Sequence, residues 1–310
     1  MKKCTFVANL ISLLTLLIVM SSVISPTTYA NSERSLDHVC QFFPAKCLNR
    51  VNTELKSVKE KSLIWFSLMQ FKFSSLFNLQ KSDELFQETK YWINEPDLPI
   101  AFQVTLYIYH AKYIIAYGDQ AEGKKFIYKA KHLLSLMNEA YPSPIRLIEL
   151  ANLQMFIGEL PEAYDSLNAL KIKYKHSHNP YFMMELYGNL GHIARQLKYF
   201  DEALKHWHEA LSWSYKYGNL QQIATVLFNL AQAQQHAKKY LLAQQNYLIS
   251  IRHAEKALDF IRASHARLHL AEIKLALGEK QQAHDLLLSL DENHLTGEGL
   301  AKFIALKNLL

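Results

Sequence analysis

The segment LGHIARQLKYFDEALKHWHEAL, Leu190 to Leu211, carries the architecture in miniature. Its first part places Leu190, Ile193, Ala194 and Leu197 at helical spacing. After a short break, Ala203, Leu204, Trp207, Ala210 and Leu211 repeat the pattern. Steps of three and four residues put side chains on one stripe of a helix. The segment therefore reads as two helices folded into a hairpin.

The hairpin recurs on both sides. Ala111, Ala151, Gly191, Ala231 and Ala271 are each 40 residues from the next. Gly123, Ala163, Ala203, Ala243 and Ala283 keep the same interval, as do Ile127, Leu167, Trp207, Tyr247 and Leu287. The residues before the first set are His110, Leu150, Leu190, Leu230 and Leu270. Such in-phase recurrence marks a stacked repeat protein. Turn signals sit in the breaks at Gly118-Asp119, Gly158-Glu159 and Gly278-Glu279. Glycine suits the left-handed end of a helix, and Pro161 stands where a following helix starts. Small residues on both helices let the backbones pack closely, and larger ones fill the space between hairpins.

This pattern resembles the tetratricopeptide repeat family. The family has a Leu-small pair in its first helix, a Gly-acidic turn, then small, large and small positions along its second. Leu190-Gly191, Phe200-Asp201-Glu202-Ala203, Trp207 and Ala210 match it, as do Leu150-Ala151 and Gly158 through Ala163. The usual period is about 34, so the 40-residue version is similar to a long-helix subgroup. The resemblance implies an all-α, right-handed α-α superhelical solenoid. Five repeats are expected over residues 101–297. A helical cap with a degenerate repeat is expected over 31–100, and a capping helix over 298–310. His110 in place of Leu, and Gly123 in place of Ala, depart from the pattern in the first repeat.

The N-terminus reads separately. Lys2 and Lys3 precede an apolar run from Phe6 to Met20, then Ser25, Pro26 and Thr28-Tyr29-Ala30. Basic, apolar, then small is the order of a secretory signal, here expected to be cut after Ala30. A retained membrane anchor is the alternative, although spanning needs about 20 apolar residues. The expected compartment is periplasmic or secreted, with no membrane attachment after cleavage. Two of the three cysteines, Cys40 and Cys47, then remain, and in an exported chain they most simply form a disulfide. Removing Lys2 and Lys3 lowers the net charge from 34 − 28 = +6 to 32 − 28 = +4. No basic run accompanies it, so no nucleic-acid partner is expected. At 310 residues, 50% hydrophobic and 20% charged, the composition is that of a folded protein.

No HExxH, GxSxG, P-loop or GxGxxG occurs, so neither an enzyme nor a cofactor is expected. His265, His269 and Glu272 share a helix face at a spacing zinc could use. The preferred reading makes them polar residues of a solvated face. The family resemblance implies that the first helix of each repeat lines a concave groove. Asn152, Asn189, His192, Arg195, Asn229, Gln232, Gln235, His269 and Glu272 are the groove residues it points to, with Tyr109, Lys112 and Glu149 at equivalent positions. Met155, Phe156 and Phe228 would add apolar surface. Asn and Gln each offer a donor and an acceptor, which suits an extended peptide backbone. The expectation is a non-enzymatic scaffold whose partner is a protein or an extended peptide segment. A ligand-sensing input module of a bacterial signalling system is the alternative.

Overall fold

The structure, a computed structural model, describes residues 35–295 and 298–310. The expected signal at residues 1–30 lies outside the described residues. Among the described residues the chain is all-α, with fifteen α-helices, a short 3-10 turn and no strand. No described helix is long and apolar enough to cross a membrane. The helices fall into two compact units, one ending at Pro142 and the other starting at Ser143.

The first unit holds α1 (Leu36–Phe42), α2 (Pro44–Glu54), α3 (Leu63–Asn78), α4 (Ser82–Trp92), α5 (Ile100–Tyr117) and α6 (Gln120–Ala140). The hydroxyls of Ser35 and Ser62 cap α1 and α3 by accepting from the His38 and Trp65 amides. The sulfur atoms of Cys40 and Cys47 lie 2.01 Å apart, at bonding distance, and link α1 to α2. Val51 and Leu68 pack beneath them. The core of α3 to α5 is aromatic, with Trp65 4.9 Å from Trp92 and Phe66 4.8 Å from Phe102.

Both departures in the first repeat have a local cause. His110 is buried where the pattern has Leu. Its Nδ1 pairs with Thr89 Oγ1 at 3.0 Å and its ring stacks on Phe86. Burial pushes its pKa down to about 4, so it packs as a neutral ring. At Gly123 an added Cβ would lie 2.4 Å from Cγ1 of Ile115. The large Ile115 occupies the space that alanine would need.

The second unit holds four hairpins: α7 (Pro144–Ile157) with α8 (Leu160–Lys173), α9 (Pro180–Gln196) with α10 (Phe200–Tyr217), α11 (Leu220–His236) with α12 (Tyr240–Lys256), and α13 (Phe260–Ala276) with α14 (Lys280–Leu288). A 3-10 turn, Glu292–His294, leads to α15 (Glu298–Lys307). Asn179, Asn219 and Asp259, again 40 residues apart, cap α9, α11 and α13 through their side chains. Each satisfies a backbone N–H that the helix cannot.

The turns within hairpins correct the sequence reading. Gly158 and Gly278 are left-handed, with φ of 94° and 80°. At the same place in the two hairpins between them stand Lys198 (φ 64°) and Lys238 (φ 59°). Gly118 has φ −136°, so it is not left-handed. There Asp119 starts α6 by accepting from the Ala121 and Glu122 amides. The turn is set by where the two helices must meet, and lysine adopts it at a cost of about 1–2 kcal/mol.

Gly191 is needed for close approach. An added Cβ would meet the Trp207 indole at 2.8 Å. Trp207 is 0% exposed and packs with Met184, Leu204, Ala210, Val226 and Leu230. Within this unit, first helices also pack against first helices, α7 on α9 and α11 on α13. Second helices pack less closely on one another. The first helices therefore line the inner side of the stack.

Candidate functional site

The 40-residue period aligns side chains across that inner side in rows. One row is Glu149, Asn189, Asn229 and His269; the next is Asn152, His192, Gln232 and Glu272. Arg195 and Gln235 lie a turn further on, and Glu185 lies a turn before Asn189. The sequence reading makes this face solvated, and the structure corrects that. Asn152, Asn189, His192, Asn229 and Gln232 are buried, Asn189 being 1% exposed. Arg195, Gln235, His269 and Glu272 are half-buried. Met155 and Phe228 are buried as well, and Phe156 is half-buried. Large side chains pack between the rows. His192 sits edge-on to Trp207 at 4.8 Å, Tyr247 stacks on His269 at 5.7 Å, and the Arg262 guanidinium lies 5.2 Å from the Phe228 ring centre.

Burial controls the electrostatics. His192 is pushed down to about 3 by desolvation, then by the charges of Arg195 and Arg262. His265 is pushed to about 3 by desolvation, then by the charges of Arg262, His269 and Lys302. Both rings are neutral near pH 7. Arg195 and Arg262 are themselves lowered by burial, and neither has a carboxylate in ion-pair contact among the described residues. At the α7–α9 end, burial raises Glu149 to about 7 and Glu185 to about 8. The Arg146 charge only partly offsets burial at Glu149, and Glu149 adds to the rise at Glu185.

A hydrogen-bonded chain crosses the later helices. Tyr247 Oη donates to Gln235 Oε1 at 2.9 Å, and Gln235 Nε2 donates to Glu272 Oε2 at 2.9 Å. Lys302 of α15 donates to the same Glu272 oxygen at 2.9 Å, and His269 Nδ1 lies 3.3 Å from it. Gln232 Nε2 and His269 Nε2 are 3.3 Å apart. Burial opposes ionisation of Glu272, but the His269 and Lys302 contacts outweigh it and hold the carboxyl well below its usual range.

That geometry also bears on the zinc spacing. His265 faces α15, where a Cβ on Gly299 would meet its ring at 2.6 Å. Glu272 is engaged by Lys302 and Gln235. Among the described residues, no three His, Cys, Asp or Glu side chains converge as metal ligands do. At the positions equivalent to the groove in the first unit, Tyr109 is buried and the Lys112 ammonium lies 4.1 Å from the Phe77 ring centre.

Two residues of this face escaped the sequence reading, Glu185 and Arg262. Each signal was present. Glu185 is four residues before Asn189, and Arg262 seven before His269, spacings that keep one helix face. Trp213 and Tyr217 pack into the hairpin cores, while Tyr215 stays 51% exposed.

No protein-family model matches the chain, and no curated protein matches it in sequence. Solved structures share its fold. A Rap protein complexed with competence and sporulation factor is 13% identical, with a TM-score of 0.60 over 88% of this chain and 76% of that one. The Cut9–Hcn1 hetero-tetramer of the APC/C gives a TM-score of 0.56 at 15% identity, over 88% of this chain and 45% of that one. Aspartyl phosphate phosphatase F from Bacillus subtilis gives 0.53 at 15% identity, over 92% and 77%. The likeness shows the fold, a helical solenoid of the tetratricopeptide type.

Proposed function

We propose that the protein is a non-enzymatic scaffold in an exported compartment, and that it binds a peptide or protein segment along the inner face of α7, α9, α11 and α13. One observation carries this reading. Buried polar atoms on these helices lack any partner: Asn152 Oδ1, Glu185 Oε1, His192 Nδ1, Gln196 Oε1 and Gln222 Oε1. Folded proteins pair nearly all such atoms, so a group of unpaired ones invites a ligand. A peptide backbone brings alternating donors and acceptors, and pre-ordered helices lower the entropy cost of holding it. Two neighbours support the reading by the complexes their names describe, a factor on the Rap protein and Hcn1 on Cut9.

The compartment is supported by the order of residues from Lys2 to Ala30 and by the sulfur contact of Cys40 with Cys47. Mass spectrometry of the protein from its own cell is expected to find Asn31 as the first residue. An intact Met1 in the membrane fraction would overturn export by cleavage.

The groove is tested by pull-down with the double variant Asn189→Ala plus Asn229→Ala. Partner recovery is expected to fall at least tenfold while the helical circular dichroism is kept. Unchanged recovery by a folded variant would place the binding surface elsewhere.

A further inference from the structure

The unpaired atoms at the α7–α9 end have a chemical bias: they are acceptors. Glu185 is 6% exposed and Asn152 is 2% exposed, and neither Glu185 Oε1 nor Asn152 Oδ1 meets a donor. One hydrogen of the Asn189 amide goes to the Glu185 backbone carbonyl at 2.8 Å, and the other reaches neither acceptor. Glu149 is half-buried and lies within electrostatic reach of Glu185. Neither carboxylate has an ion-pair partner among the described residues. Arg146 is the cation whose charge reaches Glu149. On the other side stands Tyr217, within reach of Glu185, its ring 5.4 Å from that of Tyr181. Glu185 thus has the Glu149 carboxyl and the Tyr217 ring within electrostatic reach, and Asn152 stands one helical turn from Glu149.

We propose that Glu149, Glu185 and Asn152 form a subsite for a positively charged, hydrogen-rich group of the bound segment, a guanidinium or an ammonium. The identity of the ligand as a segment rests on the function proposed above; the cation preference does not. Such a group supplies N–H donors to acceptors that have none, and it neutralises two carboxylates that the fold leaves unpaired. The tyrosine rings add a π face of the kind cations favour. A hard divalent metal is less suited, because it seeks six or more oxygens and this cluster offers few. Binding must also release protons. Glu149 and Glu185 titrate near 7 and 8, and a cation draws them into the ionised form.

The probe is N-acetyl-arginine amide, titrated calorimetrically into the full chain. N-acetyl-citrulline amide is its neutral match, and glycinamide stands for a peptide amino terminus. The arginine probe, glycinamide or both should bind saturably, and the citrulline probe at least fivefold more weakly. Repeating the titration near pH 7 in buffers of different ionisation heat should show proton release. Glu185→Gln should reduce both affinity and proton release at least fivefold. If that variant fails to fold, Glu149→Gln and the wild-type proton count read the same property. Equal binding of arginine and citrulline probes would overturn the proposal. So would unchanged binding by Glu185→Gln, or calcium chloride excluding the probe at lower concentration. Because the probes are single residues, their binding does not depend on the asparagine row. Unchanged pull-down by the folded double variant with intact probe binding removes the groove and keeps the subsite, whereas lost pull-down with no probe binding removes the subsite alone.

Discussion

Replacing Trp207 with alanine is expected to destabilise the second unit by about 3–5 kcal/mol, the range for removing a large buried aromatic. The indole fills the space against Gly191 and touches both its own hairpin and the next, through Val226 and Leu230. No neighbour can collapse into the gap without moving a helix. In a stack each hairpin is held by its neighbours, so the loss spreads to α9, α10 and α11. Thermal melting followed by circular dichroism should show a drop of roughly 10 °C. Hydrogen exchange should show early opening of those helices. Tyr215→Ala is the control, since that side chain is largely exposed, and it should stay within about 0.5 kcal/mol of wild type. A Trp207→Ala protein melting like the control would mean that the indole is not a keystone.

Glu185→Gln should do the opposite, by an amount that grows as pH rises above about 4.5 and levels off above about 8. The folded carboxyl is raised from 4.5 to about 8 by burial, with Glu149 adding to it. Between those values the folded state holds a proton that the unfolded chain has released. Stability therefore falls as pH rises through about 4.5 to 8. Glutamine has no such proton. The variant should match wild type near pH 4 and exceed it by roughly 2–4 kcal/mol at pH 9, somewhat less than the full shift converted at 1.36 kcal/mol per unit. His192 and His265 work in the other direction. Their lowered values make stability fall as pH drops from 6.5 toward 3. Urea midpoints at pH 5 and pH 9 decide the matter. Parallel pH profiles for wild type and variant would show that Glu185 ionises freely in the fold.

The fold was legible because its cause is periodic. The small residues at 40-residue intervals, Gly191 among them, record where two backbones come close. Cys40 and Cys47 were legible as a pair from their nearness together with the expected export of the chain. The state of the inner face was less so. Asn189 and Asn229 read as polar, and polar side chains are ordinarily solvated. Only the packing shows that both are buried, on a face where Trp207 meets His192, and Phe228 meets Tyr247 and Arg262. Lys198 and Lys238 were opaque for another reason. Lysine gives no sign of a left-handed backbone, and the strain is imposed by the helices on either side. Glu185 could be placed on the face from its spacing to Asn189, but its raised pKa could not be read, because that depends on burial and on Glu149, 36 positions away on another helix.

The Tyr247–Gln235–Glu272–Lys302 chain has a mechanical consequence. Its links join α12 to α11, α11 to α13 and α13 to α15, and each runs across helices. Tension applied through Lys302 is then passed in turn to α13, α11 and α12. Lys302 and Glu272 form the terminal link, and it is the only one made of opposite charges. Raised salt weakens that link before the rest, so the solenoid has an end whose stiffness follows ionic strength.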